Sequence, residues 1–219
     1  MQQKKIIIPQ QSKELAWFLG VLAGDGYVSS LGDKSKTYKV SLTVISEEFV
    51  NQFSKIGKVL FRIQPRLRRY NKYKINGVWR KYYECTFVSK AMVNFLGDWR
   101  ENTWYETLAN RFNWIWNDKS YISAFLSGFF DSDGSIIYNE EKYMRRVSFA
   151  ILNKNAQGII KKMVQELGIK CHVYWKGIQI DGKENVEKFA THIESCIPRK
   201  KRLLNLVRLG SWKTKLLCM

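Results

Sequence analysis

The chain is poor in the side chains that bind transition metals or cross-link a fold. Its 219 residues hold two histidines and four cysteines. Cys85, Cys171, Cys196 and Cys218 are scattered and never form CxxC. That spacing excludes a zinc cage or a disulfide framework and fits a reducing compartment. Long apolar runs are lacking as well. None approaches the roughly 18 residues that span a bilayer, and Ile6–Ile8 behind two lysines is too short for a signal peptide. The expectation is a protein that is neither secreted nor membrane-embedded, working in a prokaryotic cytoplasm or an organelle. Acidic residues are the third shortage: 19 Asp plus Glu face 37 Lys plus Arg, a net charge of +18. Such an excess favours polyanions, either nucleic acid or an acidic membrane surface. With 45% hydrophobic and 14% aromatic residues, the chain has enough material for a real core.

The positive charge is evenly divided, with 18 basic and 9 acidic residues in 1–110 and 19 and 10 in 111–219. Both halves are built to meet the same polyanion. They also repeat each other. Phe18–Gly26 (FLGVLAGDG) has a counterpart in Leu126–Gly134 (LSGFFDSDG), an offset of 108. Further on, Val40–Ser46 (VSLTVIS) matches Val147–Asn153 (VSFAILN) at an offset of 107. A single one-residue gap holds the two alignments together.

Each half reads by period as helix, two strands, helix, two strands, helix. Ser12 and Ser120 are candidate N-caps of apolar helices that stop at Gly26 and Gly134. Val40, Leu42 and Val44 alternate with Lys39, Ser41 and Thr43, a half-buried strand. Val147, Phe149 and Ile151 repeat that alternation with Arg146 and Ser148. Ser46 and Asn153 then cap amphipathic helices. Two strands follow in the first half, joined at Asn76-Gly77, a hairpin signal; the second half echoes them from Lys170 to Ile180. The organisation is a half-domain at 1–97, a packed linker at 98–119 holding four of the eight tryptophans, and a half-domain at 120–219. A flexible linker would instead be rich in Gly and Ser.

Small residues recur four apart on each apolar helix: Gly20 and Gly24 on one, Gly128 and Ser132 on the other. They share a helix face and allow two helices to pack backbone to backbone. Each pair is followed by Asp-Gly, so that packing brings Asp25 and Asp133 together. Helix C-termini disfavour carboxylates, and two carboxylates repel. A hard divalent cation held by oxygen ligands resolves both conflicts, with Gly24 and Ser132 adjoining the carboxylates as metal-site residues. A calcium loop does not fit Asp131–Gly134, because its glycine is at position four and its position twelve is Lys142.

These paired segments resemble LAGLIDADG motifs, and the chain resembles a single-chain LAGLIDADG homing endonuclease over roughly Ser12 to Val207. The resemblance implies an α+β fold of two pseudo-symmetric αββαββα half-domains, with two antiparallel sheets forming a saddle over DNA. It implies that Asp25 and Asp133 bind two or three catalytic Mg2+ or Mn2+ ions and are catalytic. The sixth motif position is Ala23 in one copy and Asp131 in the other. The resemblance further implies a lysine near each metal site. Lys200, with Lys201 next, matches it in the second half; near Lys90 or Arg100 the first half offers no clean match.

The basic residues agree with a nucleic-acid partner independently. Eight lysines and arginines and no acid lie between Arg62 and Lys81. Strand parity puts Gln64, Arg66, Arg68, Tyr70 and Lys72 on one face and Ile63, Pro65 and Leu67 on the other. In the next strand Arg80, Tyr82, Glu84 and Thr86 oppose Tyr83, Cys85 and Phe87. The second half repeats this with Lys170, His172, Tyr174, Lys176 and Gln179. With Tyr27, Ser29, Lys39, Ser41, Thr43, Ser135, Arg146 and Ser148, these are the candidate contacts to duplex DNA.

The resulting expectation is a monomeric, site-specific double-strand DNA endonuclease that leaves short 3′ overhangs. The rival readings are a maturase acting on host intron RNA and a non-catalytic DNA-binding regulator. Parity also predicts two separable mutant effects. Arg66→Ala or Arg68→Ala weakens DNA binding by about 1–3 kcal/mol, measured by titration. Leu67→Ala, as a buried residue, lowers stability by about 2–5 kcal/mol in thermal melts.

Overall fold

A computed structural model describes residues 7–29, 37–75, 78–100, 103–139 and 144–209, with the side chains of residues 72, 73 and 75 outside the description. The first half runs α1 (Lys13–Ala23), β1 (Gly26–Val28), β2 (Lys39–Val44), α2 (Glu47–Phe61), β3 (Arg66–Ile75), β4 (Val78–Val88) and α3 (Lys90–Leu96). The joining segment forms α4 (Trp104–Arg111) and a 3-10 turn at 113–117. The second half runs α5 (Lys119–Asp133), β5 (Gly134–Asn139), β6 (Met144–Ala150), α6 (Lys154–Glu166), β7 (His172–Tyr174), β8 (Gly177–Asp181), α7 (Lys183–His192) and α8 (Pro198–Leu209). The two antiparallel sheets have the same order, β1-β2-β4-β3 and β5-β6-β8-β7. Asn76-Gly77 lies outside the described residues.

Side-chain oxygens set the helix starts. Ser12 accepts from the Leu15 N–H, Ser46 from Phe49, and Asn153 from Asn155 and Ala156. The expected cap at Ser120 is two residues late. Asp118 accepts the Ser120 N–H at 2.7 Å, and the carboxylate also favours the positive helix end. The expected stop at Gly26 is also late. Helix α1 ends at Ala23, leaving Asp25 in a turn, whereas α5 continues through Asp133.

Helices α1 and α5 cross through their small residues. A Cβ on Gly20 would lie 2.0 Å from the Phe125 carbonyl oxygen, and one on Gly128 2.1 Å from that of Trp17. Only hydrogen fits at either position. Each half then packs its sheet and outer helices on one of these helices. Phe18 stacks on Phe53 at 4.5 Å beside Phe87 in the first half, and Phe130, Phe149 and Phe189 cluster in the second. The linker is part of this core, with Trp99, Trp104 and Trp114 buried.

Leu67 departs from expectation. It pairs with buried Cys85 and so points to the core face, yet it is 53% exposed. Parity was correct and burial was not, because β3 is the edge strand and the helix layer ends short of it. Val173, paired with buried Ile178 on edge strand β7, is likewise exposed.

Leu67→Ala is therefore expected to cost less than about 1 kcal/mol in denaturant unfolding, as for other exposed sites. Gly20→Ala or Gly128→Ala should cost about 1–3 kcal/mol or more by forcing the helices apart. Gly158→Ala, where nothing lies within 4 Å of the added carbon, should be neutral or gain up to about 1 kcal/mol. Equal melting temperatures for Gly20→Ala and the parent would refute the close crossing.

Candidate active site and nucleic-acid interface

The helix crossing sets the site geometry. At the C-terminal ends, a Cβ on Gly24 would sit 2.3 Å from the Ser132 Cβ and 2.9 Å from an Asp133 carboxylate oxygen. The turn carrying Asp25 thus abuts the helix end carrying Asp133. Burial raises the Asp25 carboxyl above the ordinary range, and Lys200 opposes that shift.

Lys200 comes from α8 and is 6% exposed. Its Nζ donates to the Asp131 carbonyl at 2.8 Å and to the Phe130 carbonyl, and it lies 5.0 Å from the Phe130 ring centre. Burial lowers its pKa to about 8, a fall opposed by the Asp131, Asp25 and Asp133 carboxylates. At neutral pH it is therefore largely charged, a cation at the C-terminal end of a helix where the dipole welcomes one.

A buried acid that the motif reading left without a role positions this lysine. Asp131 is 2% exposed and accepts hydrogen bonds from the Ser195 hydroxyl, the Cys196 N–H at 3.2 Å and the Cys196 thiol at 3.1 Å. Burial raises its carboxyl, and these donors and Lys200 pull it back. Burial also pushes the Cys196 thiol up, with the Asp131 charge adding to the effect. One turn earlier, the Ser127 hydroxyl accepts the Glu194 N–H at 3.0 Å. Ser127 and Asp131 together hold the 194–197 segment that leads into Lys200.

Other expected site residues stand differently. Lys201 is exposed and lines a cavity of about 750 Å³ with Lys13 and Ser120, at the N-terminal ends of α1 and α5. One residue on from Lys200, its side chain is turned about 100° round α8 and is exposed where that of Lys200 is buried. The Ser132 hydroxyl faces the Val21 and Gly128 carbonyls, both at 3.4 Å, and so belongs to the helix seam rather than to a ligand set. Gly24 serves by letting the helix ends meet. Arg100 pairs with Asp98, and Lys90 lies over the Tyr38 ring. Among the described residues, Lys200 is the cation acting on Asp25.

The donor chemistry suits a small hard cation. Among the described residues no cluster of three or more His, Cys, Asp or Glu side chains forms. Carboxylates beside backbone carbonyls are the oxygen-only donors that Mg2+ favours.

The sheet faces carry most of the other expected residues. Cross-strand pairing makes one row of Tyr27, Ser41, Thr86 and Arg66, and its counterpart is Ser135, Ser148, Gln179 and His172. Gln64, Arg66, Arg68, Tyr70 and Arg80 are exposed; Thr43, Tyr82 and Thr86 are half-buried. Tyr70 and Tyr82 stack at 6.3 Å, and Lys39 reaches over Tyr27. Lys170 and Lys176 are exposed, Tyr174 is half-buried, and Ser135 bonds Ser148 at 2.8 Å. The Lys72 side chain lies outside the description. Two expectations need correction. Ser29 is buried, its hydroxyl accepting the Lys39 N–H at 2.9 Å, and Ser41 is buried between its strand neighbours. Short hydroxyls in an alternating pattern do not distinguish an open face from a capped strand end.

The sequence reading also missed Asp181. Its carboxylate accepts from Arg146 Nε at 2.8 Å and Gln179 Nε2 at 2.7 Å, with His172 Nε2 at 3.7 Å. Three candidate contacts are thereby gathered around one acid on the second sheet. Its position two residues after Gln179 was the available signal.

A profile described as the LAGLIDADG-like domain matches residues 12–99 and 120–194. The chain belongs to the LAGLIDADG-like family. An uncharacterised protein of Methanocaldococcus jannaschii is 29% identical over 168 residues, 74% of this chain; the chain spans 57% of that relative's length. Among solved structures, the homing endonuclease I-WcaI bound to its DNA recognition sequence has a TM-score of 0.63 at 14% identity, covering 88% of this chain and 86% of its own. I-DmoI in complex with DNA and Mn has a TM-score of 0.56 at 18% identity, with 83% and 96% covered. Full-length WhiA from Thermotoga maritima has a TM-score of 0.58 at 13% identity, covering 96% of this chain and 66% of that one. At these identities the likeness establishes the LAGLIDADG fold alone.

The two helix-end aspartates and Asp131 should respond oppositely to mutation. Asp131→Ala leaves buried donors unpaired and should lower stability by about 1–3 kcal/mol in denaturant melts. Asp25→Asn should leave stability unchanged or raised, because it relieves a crowded carboxylate. A stability loss for Asp25→Asn as large as that for Asp131→Ala would mark Asp25 as a structural residue.

Proposed function

We propose that this LAGLIDADG-like chain is a site-specific double-strand DNA endonuclease. The observation that carries this reading is the packing of the Gly24–Asp25 turn against the helix end at Ser132–Asp133, beside one buried ammonium on which both carboxylates act. A binding surface has no use for paired carboxylates aimed at a polyanion, which would repel it. Asp25 and Asp133 would hold Mg2+ or Mn2+, which supplies a more acidic water and neutralises charge on the departing 3′ oxygen. Lys200, held by the Phe130 and Asp131 carbonyls, places a positive charge where the phosphoryl oxygens gain negative charge.

The exposed rows on both sheets supply the rest. Arg66, Arg68, Tyr70 and Arg80 in one half, and Arg146, His172, Lys176 and Gln179 in the other, would contact backbone and base edges of a long duplex site. Because one chain already carries both halves of a pseudo-twofold site, it would act as a monomer. The products would carry short 3′ overhangs. Binding without any cleavage would favour the regulator reading, and preference for structured RNA the maturase.

The direct test is selection of cleaved molecules from a randomised duplex library with Mg2+ present. Recovery of one related set of long sites supports the reading; recovery of nothing above the metal-free control opposes it. On the selected site, Asp25→Asn or Asp133→Asn should reduce double-strand cleavage by orders of magnitude while binding persists or tightens without metal. Near-parental cleavage by either folded variant would sink the mechanism. Arg66→Ala should weaken binding about 10- to 100-fold without changing thermal stability, the equivalent of losing about 1–3 kcal/mol.

A further inference from the structure

A carboxylate on a surface that meets a polyanion weakens the attraction, so Asp181 needs a reason to stand where it does. It pairs across the second sheet with Arg146, one row beyond Ser148, Gln179 and His172. Strand parity puts these residues on the open face, while Val147, Phe149, Ile178 and Ile180 are buried on the other. The Arg146 and Asp181 side chains are 43% and 36% exposed, so the pair is within reach of a ligand. The two rows lie about 7 Å apart along the strands, the span of about two base-pair steps.

The two oxygens of Asp181 are divided between the rows. Oδ1 accepts the Arg146 Nε–H at 2.8 Å, and Oδ2 accepts an N–H of Gln179 Nε2 at 2.7 Å. His172 Nε2 stands 3.7 Å from Oδ2. Tying Nε leaves the two terminal nitrogens of Arg146 as a fork of N–H donors, the shape that matches O6 and N7 of guanine. A free glutamine offers adenine both a donor and an acceptor. With its nitrogen held by Asp181, Gln179 turns its carbonyl oxygen the other way, and that oxygen suits the exocyclic amino group of cytosine or adenine. At the equivalent place in the first sheet, across the 107-residue offset, Lys39 pairs with Val88 and reaches over the Tyr27 ring.

We propose that Asp181 is a specificity-determining positioning residue, which fixes Arg146 as a guanine reader and Gln179 as an acceptor, so that two nearby base pairs of the DNA site are read together. This inference rests on the duplex-DNA reading above. Long side chains held in place before binding lose less freedom on meeting a base. Two side chains that share one carboxylate also cannot shift separately. A wrong base that displaces Arg146 therefore disturbs Gln179, and the two preferences are coupled.

The test is binding selection from a randomised duplex library without divalent metal, so that no cleavage is needed. Arg146→Lys and Gln179→Ala, each profiled in the same way, assign the two positions by the preference each loses. The parent should prefer guanine at the first position by about 10- to 100-fold, and an amino-bearing base at the second. Substituting both positions should cost less than the product of the two single losses. Asp181→Asn keeps the shape and removes the charge. It should flatten both preferences to within a few-fold and leave those on the first-sheet side of the site unchanged, which also shows that the variant is folded. Affinity for the best site should fall little, because a negative charge facing DNA is lost as well. Unchanged preferences in Asp181→Asn, or strictly independent positions in the parent, would overturn the inference. So would loss at a single position, which would make Asp181 a direct base contact. In each of those cases selective DNA binding stands, whereas a parent that binds duplex with no base preference would overturn the site-specific reading itself.

Discussion

The close crossing of α1 and α5 is the contact on which the rest depends. Gly20 and Gly128 let each helix press its backbone onto a carbonyl of the other, Phe125 and Trp17 respectively. This approach does more than bury apolar surface. It fixes two half-domains with their helix ends in register, so the same contact that joins the halves also brings Asp25 towards Asp133. A side chain added at the seam would therefore disturb stability and site together, because packed interfaces deform little before they yield.

Electrostatics then explains why the site is not symmetric. Two carboxylates at negative helix ends need a compensating charge, and among the described residues the buried ammonium of Lys200 supplies it. Keeping Lys200 buried requires acceptors, provided by two backbone carbonyls and the neighbouring acids. The first half has buried Ala23 at the motif position where the second has Asp131, so no carboxylate stands there.

Much of this was legible from pattern. The repeat, the helix faces and the strand alternation predicted the duplicated αββαββα order and the close packing of the two small-residue helix faces, because each rests on local period. What was not legible depended on what lies above a face or at its edge. Leu67 has core parity on an uncovered edge strand, and Ser29 has open-face parity but a capped, buried hydroxyl. Asp131 looked like a variable motif letter until Ser195 and Cys196, some 65 residues away, were found on it. Lys201 is exposed where Lys200 is buried because one residue on a helix changes direction by about 100°. Asp181 escaped notice because its meaning lies in its partners Arg146 and Gln179 rather than in any run of sequence.

The central claim is that Asp25 and Asp133 jointly hold a divalent cation against DNA. Anomalous scattering from a crystal of the chain bound to its selected duplex, grown with Mn2+, tests it most directly. The account predicts metal density bounded by carboxylate oxygens of both aspartates and by a phosphate of the duplex. Metal density lying elsewhere, or the two carboxylates turned away from the duplex backbone, would contradict it.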